Sequence, residues 1–248
     1  AIDVRDEFSA TDIEIKSGGS LSTSGSGLIS SETLTTSSVT GTDIETAVDT
    51  LSFDNTGTGN VVVNDQDSLS VSGSNSGGDA SITTSSDMDV TGINASNNVA
   101  LTSGGTISTT GIITASEAAT LSATGKIVLK QTIVTGSNAT LSASDLIDIQ
   151  DGLEAGNELT VTSSSSDITT SGDITSSGDA MLSAAGDITT SGDITSSGDA
   201  MLSAGGDVGI MDGTLSAVGI EITSGGGLTT TGTGLISGDT LTTVSVTG

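Results

Sequence analysis

The sequence predicts an all-β fold, a three-sided parallel β-solenoid of about 20 residues per coil and about twelve coils. Three observations lead there. A 20-residue unit recurs almost unchanged. The apolar residues are nearly all aliphatic and alternate with hydroxyl residues. Proline, which breaks a strand ladder, is absent from the whole chain.

The unit is Asp167–Gly186, DITTSGDITSSGDAMLSAAG, which returns as Asp187–Gly206, DITTSGDITSSGDAMLSAGG, with 19 of 20 positions identical. It divides into DITTSG, DITSSG and DAMLSAAG, three short strand patterns each closed by Gly or Gly-Asp. Alternation such as Ile168 inward and Thr169 outward fits a pleated strand. A unit of this length cannot hold two packed helices, and an antiparallel sandwich gives no reason for a constant period. Stacked coils place Ile168 on Ile188, Ile174 on Ile194 and Leu182 on Leu202, about 4.8 Å apart along the axis. Gly serves the corners, and Thr suits an outward strand face.

The period extends along the chain through one inward residue per coil. These anchors are Ile15, Thr36, Val63, Ile82, Leu101, Leu121, Leu141, Val161, Leu182, Leu202, Ile222 and Thr243, with spacings of 19 to 21 residues apart from one of 27. Leu34 and Leu241 are the alternative inward residues beside Thr36 and Thr243. The long spacing predicts an enlarged coil whose excess lies between Ser37 and Asn60. That segment contains Phe53 and reads either as a lateral contact loop or as a tolerated insertion.

A longer repeat overlies the short one. Residues 10–41 match residues 217–248 at 22 of 32 positions and a constant offset of 207. The expected organisation is one continuous solenoid over residues 1–248, with a ten-coil superrepeat at 10–216 and the start of the next at 217–248. Neither Ala1 nor Gly248 shows a polar capping turn, so a segment of a longer assembly is expected.

Composition narrows the chemistry. Of 248 residues, 43 are Ser, 42 Thr and 35 Gly; there is no Cys, His, Pro, Trp or Tyr, and Phe8 and Phe53 are the two aromatics. Without Cys or His there are no thiol nucleophiles, Ser-His triads, disulfides or ordinary zinc sites. Thirty-one acidic residues against four basic ones give a charge of −27, which repels nucleic acid. No apolar run reaches the roughly 18 residues of a membrane span, and no signal-peptide pattern opens the chain. Low complexity with high charge suggests disorder, but 33% hydrophobic residues at short regular intervals argue for a stacked aliphatic core.

The repeating Gly-Asp-Ile-Thr, the Asp-Ala-Met-Leu-Ser-Ala of Asp179–Ala184 and the Asn-Ala-Thr-Leu-Ser-Ala of Asn138–Ala143 carry a resemblance. From about Asp12 onward the chain resembles the coils of filamentous haemagglutinin-type exoproteins, giant surface proteins of the two-partner-secreted adhesin kind. The resemblance implies a right-handed parallel β-helix, export across an outer membrane, and adhesion or aggregation.

Candidate sites follow from stacking. Asp167, Asp187 and Asp207 share one register, as do Asp173 with Asp193 and Asp179 with Asp199. Carboxylates about 5 Å apart repel, and a Ca²⁺ ion held between coils would relieve them. Alternatively they lie at solvated corners, each bonding a local backbone N–H in a Gly-Asp turn. The spacing is not that of the nonapeptide calcium repeat. Lys126 and Lys130 bracket one strand within reach of Asp145, Asp148 or Asp151 of the next coil, and either dock a neighbouring filament or lie on a solvated face in ordinary surface pairs. Asn94 and Asn138 begin glycosylation sequons of a kind that chance supplies in so hydroxyl-rich a chain. Near-identical coils offer no irregular cluster for catalysis, so no enzyme is expected. The expected role is a structural segment of a secreted extracellular filament or adhesive surface fibre. Its partners are further copies of itself or tandem superrepeats stacked end to end, and a host or neighbouring-cell surface. The alternative is an ice- or glycan-binding solenoid, which would need a constant TxT row on one face.

Overall fold

A computed structural model describes residues 1–246 as thirty-two strands, with no helix among them. The strands pair in parallel, and in the regular part each pairs with the strand three places further on. Three strands therefore complete one coil. One coil shows the plan: Ala180–Ala184 forms a long face, Ile188–Thr190 a first short face and Ile194–Ser196 a second short face, before Ala200–Ala204 resumes the long face.

Alternating inward and outward residues make these segments strands, and the inward ones fill a single narrow core. Leu101, Leu121, Leu141, Val161, Leu182, Leu202 and Ile222 form one unbroken register on the long face. All are buried. Ile107, Ile127, Ile147, Ile168, Ile188 and Val208 do the same on the first short face, and Ile93, Ile113, Ile133, Leu153, Ile174 and Ile194 on the second. The expected stacks of Ile168 on Ile188, Ile174 on Ile194 and Leu182 on Leu202 are all present. Identical aliphatic side chains nest on their own kind without change of rotamer, which a bulky aromatic repeat could not do in this width.

The amino-terminal coils differ. In Leu28–Ser38 and Leu69–Asn75 the two short faces merge into one strand, and in Thr42–Asn55 the long face (Thr42–Thr46, paired with Val61–Asp65) runs on into the same merged strand. The corner between them first opens in Met88–Ala95, where the register shifts between Val90 and Gly92, and Gly92 takes φ 138°. From Ile107–Thr109 and Ile113–Ala115 onward the two faces are separate strands.

These coils correct the sequence reading. Val63 stacks on Ile44, not on Thr36, and that coil is 19 residues long. The spacing of 27 joined residues of two different faces; there is no enlarged coil. Phe53 is not in a contact loop but in the core, 2% exposed, stacked between Thr36 and Gly73. Gly73 is the residue that admits it, since a Cβ there would fall on the Phe53 ring.

The longer repeat is also out of phase with the coils. From Ile15, ten pairing steps lead through Thr36, Phe53, Gly73 and Ile93 to Leu215, on the second short face. Ile222, the repeat equivalent of Ile15, lies on the long face. One superrepeat thus advances the chain by ten coils and one further strand.

Candidate functional site

The acidic registers occupy the three corners. Asp167, Asp187 and Asp207 turn the long face into the first short face, Asp173 and Asp193 join the two short faces, and Asp179 and Asp199 return the chain to the long face. The registers stay separate, and no group of three or more metal-ligating side chains forms among the described residues.

Each carboxylate has a defined partner. Asp167 Oδ1 accepts the backbone N–H of Asp187 at 2.8 Å, and Asp187 Oδ1 accepts that of Asp207 at 2.7 Å. Asp207 Oδ1 accepts the N–H of Gly227 at 2.7 Å. The second corner repeats the bond from Asp193 N–H to Asp173 at 2.9 Å, and the third from Asp199 N–H to Asp179 at 2.9 Å. The acceptor is therefore matched with the next coil's backbone rather than with its own turn. Each corner amide lies at the start of a strand, where the ladder is not yet formed, and the side chain of the coil before supplies its acceptor.

The same geometry explains the Gly of Gly-Asp. A Cβ on Gly186 would collide with Asp167 Oδ1, on Gly206 with Asp187 Oδ1, and on Gly226 with Asp207 Oδ1. The aspartate of one coil needs a side-chain-free residue just above it, immediately before the next aspartate. The dipeptide is one device shared between consecutive coils.

Residues that the sequence reading did not mark as corner acceptors belong to the same device, Asn138 of the second sequon among them. Asn60, Asp79, Asn98 and Asn138 occupy the third corner in earlier coils and accept the N–H of Asp79, Asn98, Ala118 and Glu158 at 3.0 to 3.3 Å. Asp87 does so at the first corner, accepting from Thr106 at 2.7 Å. Asn and Asp interchange at the third corner, which Ala118 and Glu158 occupy in two coils, so an acceptor oxygen is favoured there and a charge is not required. The signal was in the sequence as Asn and Asp alternating at one offset.

Inward hydroxyls complete the corners. Ser196 donates to the carbonyls of Gly178 and Asp199, Ser224 to those of Gly206 and Gly227, and Ser163 to that of Asp145. Asn55 and Asn75 form a short buried amide stack. Asn55 Nδ2 donates to Asn75 Oδ1 at 2.8 Å, and its Oδ1 accepts from Ser38 and from the Gly41 N–H.

One carboxylate points into the solenoid. Asp65 is 5% exposed and accepts from Thr46 Oγ1, Val48 N–H and Asp67 N–H at 2.8 to 3.0 Å. Burial pushes its pKa up, against the opposing pull of these hydrogen bonds. Lys126 and Lys130 are exposed. The ion pairs found among the described residues are Arg5–Asp3 at 2.7 Å and Lys16–Glu14 at 2.6 Å, away from both lysines.

A family of repeats of unknown function (DUF5649) matches residues 77–133, 136–189 and 173–210, more than half of the chain. The chain belongs to this repeat family. The DUF5649 matches cover the coils in which the three faces are separate or separating, and which carry most of the Asp and Asn corner acceptors. No curated protein and no solved structure matches the chain.

Proposed function

We propose that this chain is a mechanical, non-enzymatic part of a secreted extracellular filament or adhesive surface fibre. The observation that carries the reading is the uniform way in which each coil completes the one before it. The backbone ladder, the aliphatic stack and the corner acceptors all pass from coil to coil, and the 207-residue recurrence adds a second such order on the same axis. A protein built this way resists extension because rupture must break a whole ring of strands at once. The surface depressions near Ser9, Ser30 and Asp49 and near Met201 and Glu221 are open to solvent. The resemblance to haemagglutinin-type exoproteins supports a place outside the cell. No helix of the described residues is long and apolar enough to cross a membrane. Electron microscopy of native material tests the reading. Unbroken fibres with about 4.8 Å axial spacing are expected, and isolated globular particles would overturn it.

A further inference from the structure

Charge is unevenly spread over this molecule of net charge −27. The eight long-face strands from Val61–Asp65 to Ala200–Ala204 carry Ser, Thr, Ala, Val, Asn and Met at their outward positions and no charged residue. Charge resumes at both limits of this strip, with Asp43 and Glu45 on one side and Glu221 on the other. The short faces are interrupted by charge, with Asp89, Asp148 and Glu154 outward among uncharged residues such as Ser108, Thr114, Val128 and Thr175. On the strip, Met181 and Met201 stack in register and are 42% and 40% exposed, with the small Ser183 and Ser203 beside them.

We propose that this strip is a lateral docking surface for the same strip of a second copy of the chain. Two bodies of this charge approach closely only where their facing surfaces bring no carboxylates together. The strip offers that, and its flat pleat can pack on another at the usual sheet separation of about 10 Å. A two-fold axis parallel to the solenoid exchanges the two outward rows, which sets Met181 and Met201 of each copy against Ser183 and Ser203 of the other. The long, adaptable thioethers then fill the space left by small hydroxyl residues. Eight strands span about 34 Å, and five residues across give about 17 Å, so each copy contributes about 600 Å². That lies below the roughly 800 Å² per partner of a standard stable interface. The pairing is therefore reversible, and the acidic corners along both rims make it depend on screening.

The chain has no cysteine, so one engineered thiol reports one position. Ser142→Cys lies near the middle of the strip, and Thr175→Cys on the second short face; both residues are exposed. Sedimentation is measured at about 0.15 M and about 1 M salt, where the Debye length falls from about 8 Å to about 3 Å. Dimer should grow with salt. A bismaleimide should then join Ser142→Cys copies and leave Thr175→Cys largely monomeric, and adding Met201→Asp to Ser142→Cys should abolish the product. Equal cross-linking at both positions would overturn the proposal. So would monomers at every salt concentration, including monomers that bind neutral polysaccharide beads or arrest ice growth. Dimers lost in Leu241→Lys, a change on the exposed strand Thr240–Ser245 that ends the described stack, but not cross-linked through Ser142→Cys would also overturn it, while leaving the filament reading in place. Absence of native filaments would defeat that reading and leave the cross-linking result standing.

Discussion

Asp187 stands between two coils. Its Oδ1 holds the N–H of Asp207, and the space it fills is what keeps position 206 a glycine. Asp187→Asn keeps an acceptor oxygen, as Asn98 and Asn138 do, and should leave the melting temperature nearly unchanged. Asp187→Ala strands the Asp207 amide and should cost about 0.5–1.5 kcal/mol in denaturant unfolding. Asp65 behaves otherwise. Its folded pKa lies above its ordinary value of 3.8 because it is buried, so the folded state holds this proton more tightly than the unfolded chain. Stability from this group is greatest below pH 3.8 and is lost as pH rises through the raised folded value. Against Asp65→Asn, the wild type should lose relative melting temperature across that window and then level off; a constant difference would refute the assignment. Neither role could be read from one repeat unit. The stacked aspartates were visible in sequence, but their partner is a backbone amide some 20 residues away, and Asp65 looked like any surface acid until its strand phase was known.

At the scale of the element, strand and period were legible where repeats are near-identical. The 20-residue unit fixed which isoleucines and leucines stack, and the pairings agree. The reading failed in the first coils because an inward aliphatic looks the same on every face. Thr36 and Val63 are both buried, yet they belong to different faces, and nothing local marks which. Phe53 was misplaced because its accommodation depends on Gly73, one coil away. This pair gives a direct test. Gly73→Ala should destabilise by about 1–3 kcal/mol through overpacking. Phe53→Leu in the same chain should recover part of that loss, and an additive result in a double-mutant cycle would argue that the two do not touch.

At the scale of the whole molecule, the core is one continuous stack with no middle. A cavity in any coil is covered from both sides. Leu141→Ala, in the fully buried long-face register, should cost about 2–5 kcal/mol. Limited proteolysis should show the added opening confined to neighbouring coils, because contacts reach only from one coil to the next. The single-strand lag of the 207-residue repeat acts over a longer distance. Leu21 lies on the long face, and its repeat equivalent Leu228 on the first short face. In tandem copies every surface motif winds about the axis like the thread of a screw, and returns to its starting side after three turns of the longer repeat. A neutral strip carried on such a thread would recruit neighbours from three directions, and the product would be a branched mesh instead of a flat ribbon.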